Sequence, residues 1–175
     1  GISLSYAKNI SFYIPVGHKN IKSLNKDFVV KKLKPILEDP SIKKVGQNIK
    51  YDFIILKKYG VELNAIEDTM LLSYTLDAGN NRHNMDTLSE LHLNHKTISY
   101  KDLVGSGKKQ LKFSEVDIDK ATEYAAEDAD VTLRLYEILS ERVSDEKLSQ
   151  IYEAFEKPMI KILSKLETYG IKVDD

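Results

Sequence analysis

The chain has 175 residues, of which 42% are hydrophobic and 30% charged, enough for one domain with a sizeable core and a charged surface. Lysine and arginine number 26 against 27 aspartate and glutamate residues, so a net charge of -1 excludes a global attraction to nucleic acid or membrane. The absence of cysteine excludes disulfides, thiolate nucleophiles and cysteine-based zinc sites, and it fits a cytoplasmic protein. Any bound metal must therefore use oxygen or imidazole ligands.

A β-hairpin is predicted first in the chain. The runs Ile2–Ala7 and Ile10–Pro15 are rich in strand-forming residues, and Lys8 and Asn9 between them suit a tight turn. Apolar residues at helical spacing then predict a crossover helix over Lys26–Glu38. A sheet covered by at least one helix is therefore expected.

The next stretch has the order strand, glycine, helix, strand. Ile42–Val45 is a predicted short strand, Gly46 opens a helix from about Asn48 to Tyr59, and Val61–Asp68 returns as extended chain. This order predicts a βαβ unit. The remaining predicted segments are helices at Thr69–Leu76 and Met85–Leu93, an exposed basic linker at Leu103–Phe113, and helices from Ser114 to Tyr169 with a break near Ser144.

The segment from Tyr124 to Leu139 predicts a helix with an aspartate on its apolar face. Asp128 shares that face with residues spaced by three, four and seven positions, and Tyr124 lies one turn before it. A lone buried carboxylate is costly unless it is compensated, for example by a metal ion. The apolar or small residues of the face are Ala121, Ala125, Thr132, Leu135 and Leu139.

Asp52 is a second acid predicted on an apolar helix face, between Ile49 and Leu56. Taken singly, each aspartate also fits a partly solvated or capped edge position. Clustered carboxylates without cysteine suit Mg²⁺ or Mn²⁺, and two such ions are a common device for phosphodiester hydrolysis.

Two motifs resemble a known family. GQNIKYD (Gly46 to Asp52) and YAAEDADVTL (Tyr124 to Leu133) are similar to the second and third exonuclease motifs of the 3′-5′ proofreading domain of bacterial family A DNA polymerases, the polymerase I type. The flanking runs YIPVGH, GNNRHNMDTLSE and LETYGIKVD also have counterparts there. The resemblance implies an α/β, ribonuclease H-like mixed sheet flanked by helices, with the first strand missing. It also implies an exonuclease domain over residues 1–155, truncated at its N-terminus, and a connector helix over 156–175 that leads toward the polymerase domain.

The same resemblance assigns roles to individual residues. Asp52 and Asp128 are implied metal ligands for two Mg²⁺ or Mn²⁺ ions, and Tyr124 is the implied water-orienting residue, in the tyrosine rather than the histidine subclass. The implied reaction is hydrolysis of the 3′-terminal phosphodiester of single-stranded DNA, in a polypeptide that also carries a polymerase domain for DNA replication and repair. The implied substrate contacts are Gln47, Asn48, Lys50, Tyr51, Arg82 and Tyr100.

One departure from the family limits the expected activity. The family's first motif, Asp-x-Glu, supplies two of its four metal-binding carboxylates, and this chain is expected to begin just after it. We therefore expect the parent polymerase to proofread and the isolated fragment to be inactive. The alternatives are a non-catalytic domain that guides DNA or supports the polymerase, and an RNA-trimming nuclease of the same superfamily.

Several weaker signals favour ordinary structural roles. The Gly105–Lys109 run lacks the pattern of a phosphate-binding loop and predicts a solvated basic loop. Glu127 and Asp130 are predicted to be solvated or to pair with nearby lysine or arginine. Weak, salt-sensitive binding of single strands is expected, carried by Arg82, Lys50, Lys108 and Lys109.

Overall fold

A computed structural model describes residues 1–19, 21–107, 110–170 and 172 of the chain. It divides into two compact units, treated separately below: the first unit is Gly1–Leu33 with Met85–Leu135, and the second unit is Lys34–Asn84 with Tyr136–Asp175. The predicted basic positions Lys108 and Lys109 lie outside the described residues.

Helices make up most of the secondary structure, and the strands are short. The elements are β1 (Ile2–Ala7), β2 (Ile10–Ile14), α1 (Lys26–Glu38), β3 (Lys44–Gly46), α2 (Ile49–Lys58), β4 (Ile66–Asp68), α3 (Thr69–Asp77), α4 (Met85–Leu93), α5 (Tyr100–Val104), α6 (Ile118–Asp145), α7 (Ser149–Ile151) and α8 (Lys157–Tyr169). A 3₁₀ turn occupies Phe113–Glu115, and a π-helical turn occupies Tyr152–Glu156. The helices α1 and α4 have their predicted bounds, whereas α5 was not predicted and its last two residues overlap the stretch Leu103–Phe113 predicted as linker.

The strands form two small sheets. β1 and β2 pair antiparallel in the first unit, with Asn9 between them at φ 63°, which confirms the predicted hairpin. In the second unit, β3 and β4 pair parallel and α2 connects them, which confirms the predicted βαβ order. The prediction of one mixed sheet is not met by the described strands, because each pair forms its own two-stranded sheet. β3 and β4 have only three residues each, so most apolar burial falls to the helices.

The core of the first unit lies along one face of α6. Val104, Val116 and Ala121 are fully buried there, and the partly buried rings of Tyr13 and Phe113 pack against them. The predicted apolar face of α6 is confirmed by the low exposure of Ala121, Ala125, Thr132, Leu135 and Leu139, which ranges from 0% to 9%.

The core of the second unit joins α2, the strand segments and α8. Ile49, Leu63, Ile66 and Ile160 form a buried cluster. Gly46 allows β3 to approach the start of α2, because a Cβ at this position would lie 2.8 Å from Cβ of Ile49. No helix in the described part of the chain is long and apolar enough to cross a membrane.

Candidate functional site

Asp128 is a partly buried carboxylate on the apolar side of α6. Its Oδ1 is buried and has no hydrogen-bond partner among the described residues. Burial raises the pKa of the Asp128 carboxyl to about 7; a hydrogen bond from Tyr124 opposes this rise, and the charges of Glu127 and Asp86 add to it. A buried oxygen without a donor is costly in an apo protein and is relieved by a cation. The carboxylate of Asp128 therefore fits a hard divalent ion.

Tyr124 lies in a cluster of aromatic rings beside Asp128. Its ring centroid is 5.9 Å from that of Tyr100 and 6.0 Å from that of Phe113, and Tyr100 stacks on Phe113 at 6.4 Å. Burial raises the pKa of Tyr124, and the charge of Asp128 raises it further. The hydroxyl is therefore protonated at neutral pH, so it can orient a water molecule or an oxygen atom by hydrogen bonding but cannot act as a base. Tyr100 remains 47% exposed.

Glu127 ties the segment before α5 to α6. Nε2 of His95 donates to Glu127 Oε1 at 2.8 Å, and the backbone N–H of Ile98 donates to Oε2 at 2.7 Å. The prediction that Glu127 is solvated or pairs with lysine or arginine is therefore wrong. Asp130 does pair with Arg134, at 3.5 Å, as predicted.

Asp52 lies in the first turn of α2, in the second unit. The residue is exposed, so the prediction that it points inward is wrong; Ile49, Phe53 and Leu56 make the apolar contact, and Asp52 lies at the edge of their face. Surrounding protein atoms nevertheless raise the pKa of its carboxyl to about 6, its own backbone N–H opposes the rise, and the charge of Asp68 adds to it. Accessible surface decides whether a cation can reach the group, and by that measure Asp52 is available.

Asp68 is a buried acid whose role the sequence analysis did not identify. It is 1% exposed and accepts hydrogen bonds from three backbone N–H groups, those of Asn48 at 3.0 Å, Ile49 at 2.9 Å and Met70 at 2.9 Å. One carboxylate thus caps α3 and also holds the start of α2. An aspartate directly before an apolar helical run was the available signal, because it is a typical N-cap pattern.

The predicted substrate contacts of the second unit differ in their availability. The amide of Gln47 is used inside the protein: Nε2 donates to the carbonyl of His83 at 2.7 Å, and Oε1 accepts from the Thr69 hydroxyl at 2.5 Å. The ammonium group of Lys50 pairs with Glu167. The predicted contacts with exposed side chains are Asn48, at φ 58°, Tyr51 and Arg82.

Each unit thus brings together part of the predicted set. The first unit joins Tyr100, Tyr124 and Asp128, and the second unit joins Asp52 and the residues at the start of α2. Within the described ranges, no group of three or more His, Asp or Glu side chains is arranged to hold a metal ion.

Sequence comparison relates the chain to polymerase-associated nucleases. A family model described as 3′-5′ exonuclease matches residues 1–144. DNA polymerase I of Rhizobium leguminosarum is 44% identical over 99% of this chain, and that of Pseudomonas aeruginosa is 39% identical over 99%. The chain spans about a fifth of the length of these relatives, 19% and 20% respectively.

Solved structures share the fold at lower identity. The polymerase structure described as the POL domain of Pol1 from M. smegmatis, in complex with DNA primer-template and dNTP, has a TM-score of 0.66 at 21% identity and covers 87% of this chain and 23% of its own. Brucella melitensis NrnC with bound Mg²⁺ has a TM-score of 0.62 at 23% identity and covers 94% of this chain and 73% of its own. The fold is mixed α/β, with mostly helices and small sheets, as in these proteins. The family match and the two polymerase I relatives show that the chain belongs to the 3′-5′ exonuclease family and is homologous to the exonuclease region of DNA polymerase I.

Proposed function

We propose that the chain is the 3′-5′ proofreading module of a DNA polymerase I, which hydrolyses the 3′-terminal phosphodiester of single-stranded DNA. The observation that carries this proposal is the Asp128 carboxylate, with a buried oxygen that lacks a donor among the described residues and a tyrosine hydroxyl beside it. Family membership supports the reaction class. The ribonuclease H-like arrangement and the connector role of residues 156–175 belong to the same proposal.

Asp128 and Asp52 are the proposed ligands for Mg²⁺ or Mn²⁺. When bound, two such ions supply an activated water and charge stabilisation of the leaving oxygen. Tyr124 orients the attacking water, and its protonated hydroxyl is suited to donate or accept one hydrogen bond without exchanging a proton. The pKa values of both carboxyls are raised chiefly by the surrounding protein atoms, and perturbed pKa values of this kind are common at functional sites.

The proposed contacts with DNA use exposed cationic and aromatic groups. Arg82 holds a backbone phosphate, Tyr100 stacks on a base with its exposed part, and Asn48 and Tyr51 line the path of the strand. Lys50 contributes to phosphate binding only after it releases Glu167. The Gln47 amide, held by His83 and Thr69, chiefly positions the start of α2.

The 175 residues contain no Asp-x-Glu sequence, which in the resembling family supplies the other metal-binding carboxylates. We therefore propose that the parent polypeptide is active and that this chain alone is not. The second candidate function is a non-catalytic domain that guides DNA beside the polymerase. The internal hydrogen bonds of Gln47 and the ion pair of Lys50 favour it, because both side chains are occupied within the protein.

The test is a nuclease assay with 5′-labelled single-stranded DNA and Mg²⁺. We expect stepwise loss of 3′ nucleotides with a longer polypeptide that carries Asp-x-Glu, and no cleavage with the 175-residue chain. Asp128→Ala should abolish cleavage by the longer polypeptide, whereas Glu123→Gln, an exposed acid on the same helix, should leave it unchanged. Robust cleavage by the 175-residue chain, lost in Asp128→Ala, would refute its incompleteness; an inactive longer polypeptide would favour the guiding role.

A further inference from the structure

Phe113 is an aromatic residue that contacts both tyrosines of the candidate site in the first unit. Its ring centroid lies 6.4 Å from that of Tyr100, with the two planes only 11° apart, and 6.0 Å from that of Tyr124, with the planes 60° apart. The centroids of Tyr100 and Tyr124 are 5.9 Å apart, so the three rings form a triangle with nearly equal sides. Both tyrosines have roles in the proposed reaction, and Phe113 is the side chain that joins them.

The turn that carries Phe113 is bound to another segment of the first unit and closed on itself. The backbone N–H of Lys19 donates to the carbonyl of Ser114 at 2.9 Å, and Nζ of Lys19 donates to Glu115 Oε1 at 2.6 Å. The backbone N–H of Lys112 donates to Glu115 Oε2 at 3.0 Å, which closes the turn. These bonds lie on both sides of Phe113 in the chain, so they fix the position of its backbone.

The ring of Phe113 is also supported by two residues near the N-terminus. It packs edge-on against Tyr13 at 6.2 Å and against His18 at 5.7 Å. These two supports are joined to each other, because the Tyr13 hydroxyl lies within hydrogen-bond distance of His18 Nε2, at 2.7 Å. Aromatic rings prefer edge-to-face and offset-stacked arrangements, so the contacts restrict the orientation of the Phe113 ring as well as its position.

Tyr100 depends on this support more than Tyr124 does. Tyr124 lies inside α6, a helix of 28 residues, whereas Tyr100 is the first residue of α5, which has only five. A helix as short as α5 is marginal without tertiary contacts. The bond from Ile98 to Glu127 anchors the backbone two residues before Tyr100. The Tyr100 side chain, which is 47% exposed, is held by the rings of Phe113 and Tyr124.

We propose that Phe113 is a positioning residue that sets the distance between the base stacked on Tyr100 and the water oriented by Tyr124. This inference rests on the proposed function, since it requires a base and a water at those two places. A base stacked on Tyr100 lies nearly parallel to Phe113 as well, because the two ring planes differ by 11°. Displacement of either tyrosine by about 1 Å misaligns the water and the phosphodiester, and a misplacement of this size can cost roughly 100-fold in rate.

Photo-cross-linking of Tyr100 to a single strand tests the position of the stacked base without catalysis. The probe is an oligonucleotide with 5-iodo-2′-deoxyuridine at its 3′ end, irradiated in EDTA with a saturating amount of the longer polypeptide that carries Asp-x-Glu. Mass spectrometry quantifies the cross-linked peptide that contains Tyr100. Because the ring of Phe113 holds that of Tyr100 in place for stacking, Phe113→Leu should reduce the cross-link about fivefold or more, and Phe113→Tyr, which keeps the ring, should retain about half of it or more.

Three results of the cross-linking experiment would overturn the proposal. The first is a yield in Phe113→Leu within about twofold of wild type, and the second is an equal loss in Phe113→Leu and Phe113→Tyr. The third is the absence of a Tyr100 cross-link in the wild type, since Tyr100 would then hold no base.

Val116→Ala provides the matched control for stability. Val116 is 2% exposed and belongs to the core cluster against which Phe113 packs, but it contributes no ring. The substitution should lower the melting temperature, as Phe113→Leu does, and leave the Tyr100 cross-link per folded molecule near the wild-type value. An equal loss of the cross-link in Val116→Ala would overturn the specific role of Phe113. Phe113→Met, which keeps much of the apolar volume without a ring, replaces Phe113→Leu if that variant fails to fold.

Steady-state kinetics of the longer polypeptide with single-stranded DNA and Mg²⁺ separate positioning from a purely structural role. A loss of folded molecules lowers the apparent kcat and leaves KM unchanged. Phe113→Leu should instead raise KM about threefold or more, through Tyr100, and lower kcat about tenfold, through Tyr124. A lower kcat with the wild-type KM would overturn the positioning role.

The two assays together separate this inference from the proposed function. A nuclease whose KM and kcat are unchanged in Phe113→Leu would refute the positioning role alone. A Tyr100 cross-link that depends on Phe113, in a polypeptide without nuclease activity, would refute catalysis and leave the positioning of the base standing.

Discussion

Asp68 and Asp128 respond to burial in the same way but differ in the hydrogen bonds that their carboxyl oxygens accept. Burial raises the pKa of both carboxyls. Asp68 accepts three backbone hydrogen bonds, whereas Oδ1 of Asp128 has no donor in the described part of the chain. The first carboxylate is compensated by the fold, and the second is left for a proton or a cation to neutralise. Hydrogen-bond satisfaction, rather than burial, therefore separates a structural acid from a candidate metal ligand.

The largest expected effect is loss of the Asp68 carboxylate. Asp68→Ala removes a helix cap and leaves three N–H groups without their acceptor, which should lower the free energy of unfolding by about 3 to 5 kcal/mol. Urea unfolding of the 175-residue chain measures this. Asp68→Asn keeps one acceptor oxygen and should cost less. If the free energy of unfolding of Asp68→Ala lies within about 1 kcal/mol of the wild-type value, the contrast between the two aspartates does not hold.

The opposite sign is expected at Asp128. Its folded pKa of about 7 exceeds the ordinary 3.8, so the native chain keeps a proton that the unfolded chain has lost, and stability falls as pH rises between these values. Asp128→Asn does not titrate, and it should stabilise the apo chain by roughly 1 to 2 kcal/mol at pH 8 after solvent screening. The gain should vanish near pH 4. Urea unfolding across this pH range checks the prediction, and a destabilised variant at pH 8 would contradict it.

Metal addition should narrow the difference in stability between the wild-type chain and Asp128→Asn. Mn²⁺ at five times its dissociation constant should stabilise the wild-type chain by about 1 kcal/mol at pH 8 and leave Asp128→Asn unchanged. The shift should shrink at pH 6, because protons compete for a carboxyl whose pKa is about 7. Thermal unfolding with and without Mn²⁺ measures this, with Glu123→Gln as the variant that should respond like wild type. Equal stabilisation of Asp128→Asn by Mn²⁺ would show that the metal binds at another site.

The smallest effect concerns Tyr124. Its hydroxyl lowers the pKa of Asp128 through a hydrogen bond, so Tyr124→Phe should move the Asp128 titration to higher pH. Carboxyl ¹³C chemical shifts followed against pH report this directly. Tyr169→Phe, at a ring that is 85% exposed, should leave the titration in place. A lower pKa in Tyr124→Phe would show that the hydroxyl does not support the ionised carboxylate.

The helical periodicity predicted much of the fold and half of the candidate site. The apolar face of α6, with Asp128 and Tyr124 one turn apart, followed from spacing alone because residues three and four apart share a helix face. The same reasoning failed at Asp52, which lies at the edge of its face and is exposed. Periodicity gives an angle around a helix axis, and the width of the buried face depends on what packs against it.

Hydrogen-bond partners that are distant in sequence could not be predicted from the local spacing of residues. Glu127 accepts from Ile98 across 29 positions, and Asp68 accepts from Asn48 across 20, so neither contact leaves a mark in the spacing around the acid. The resemblance to the exonuclease family assigned Gln47 and Lys50 as contacts to DNA. Both side chains bind protein partners in the structure. Their proposed roles depend on whether those partners are exchanged.

The sequence by itself determined the order of elements, the face of α6 that carries an acid, and the motifs that resemble an exonuclease, because these depend on residues close together in the chain. The tertiary structure decided which buried carboxylate receives donors. Backbone N–H groups from α2 and α3 converge on Asp68, whereas Asp128 is left with an oxygen that no described residue binds. That difference depends on contacts between segments that are distant in sequence. Those contacts distinguish a structural acid from a candidate metal ligand.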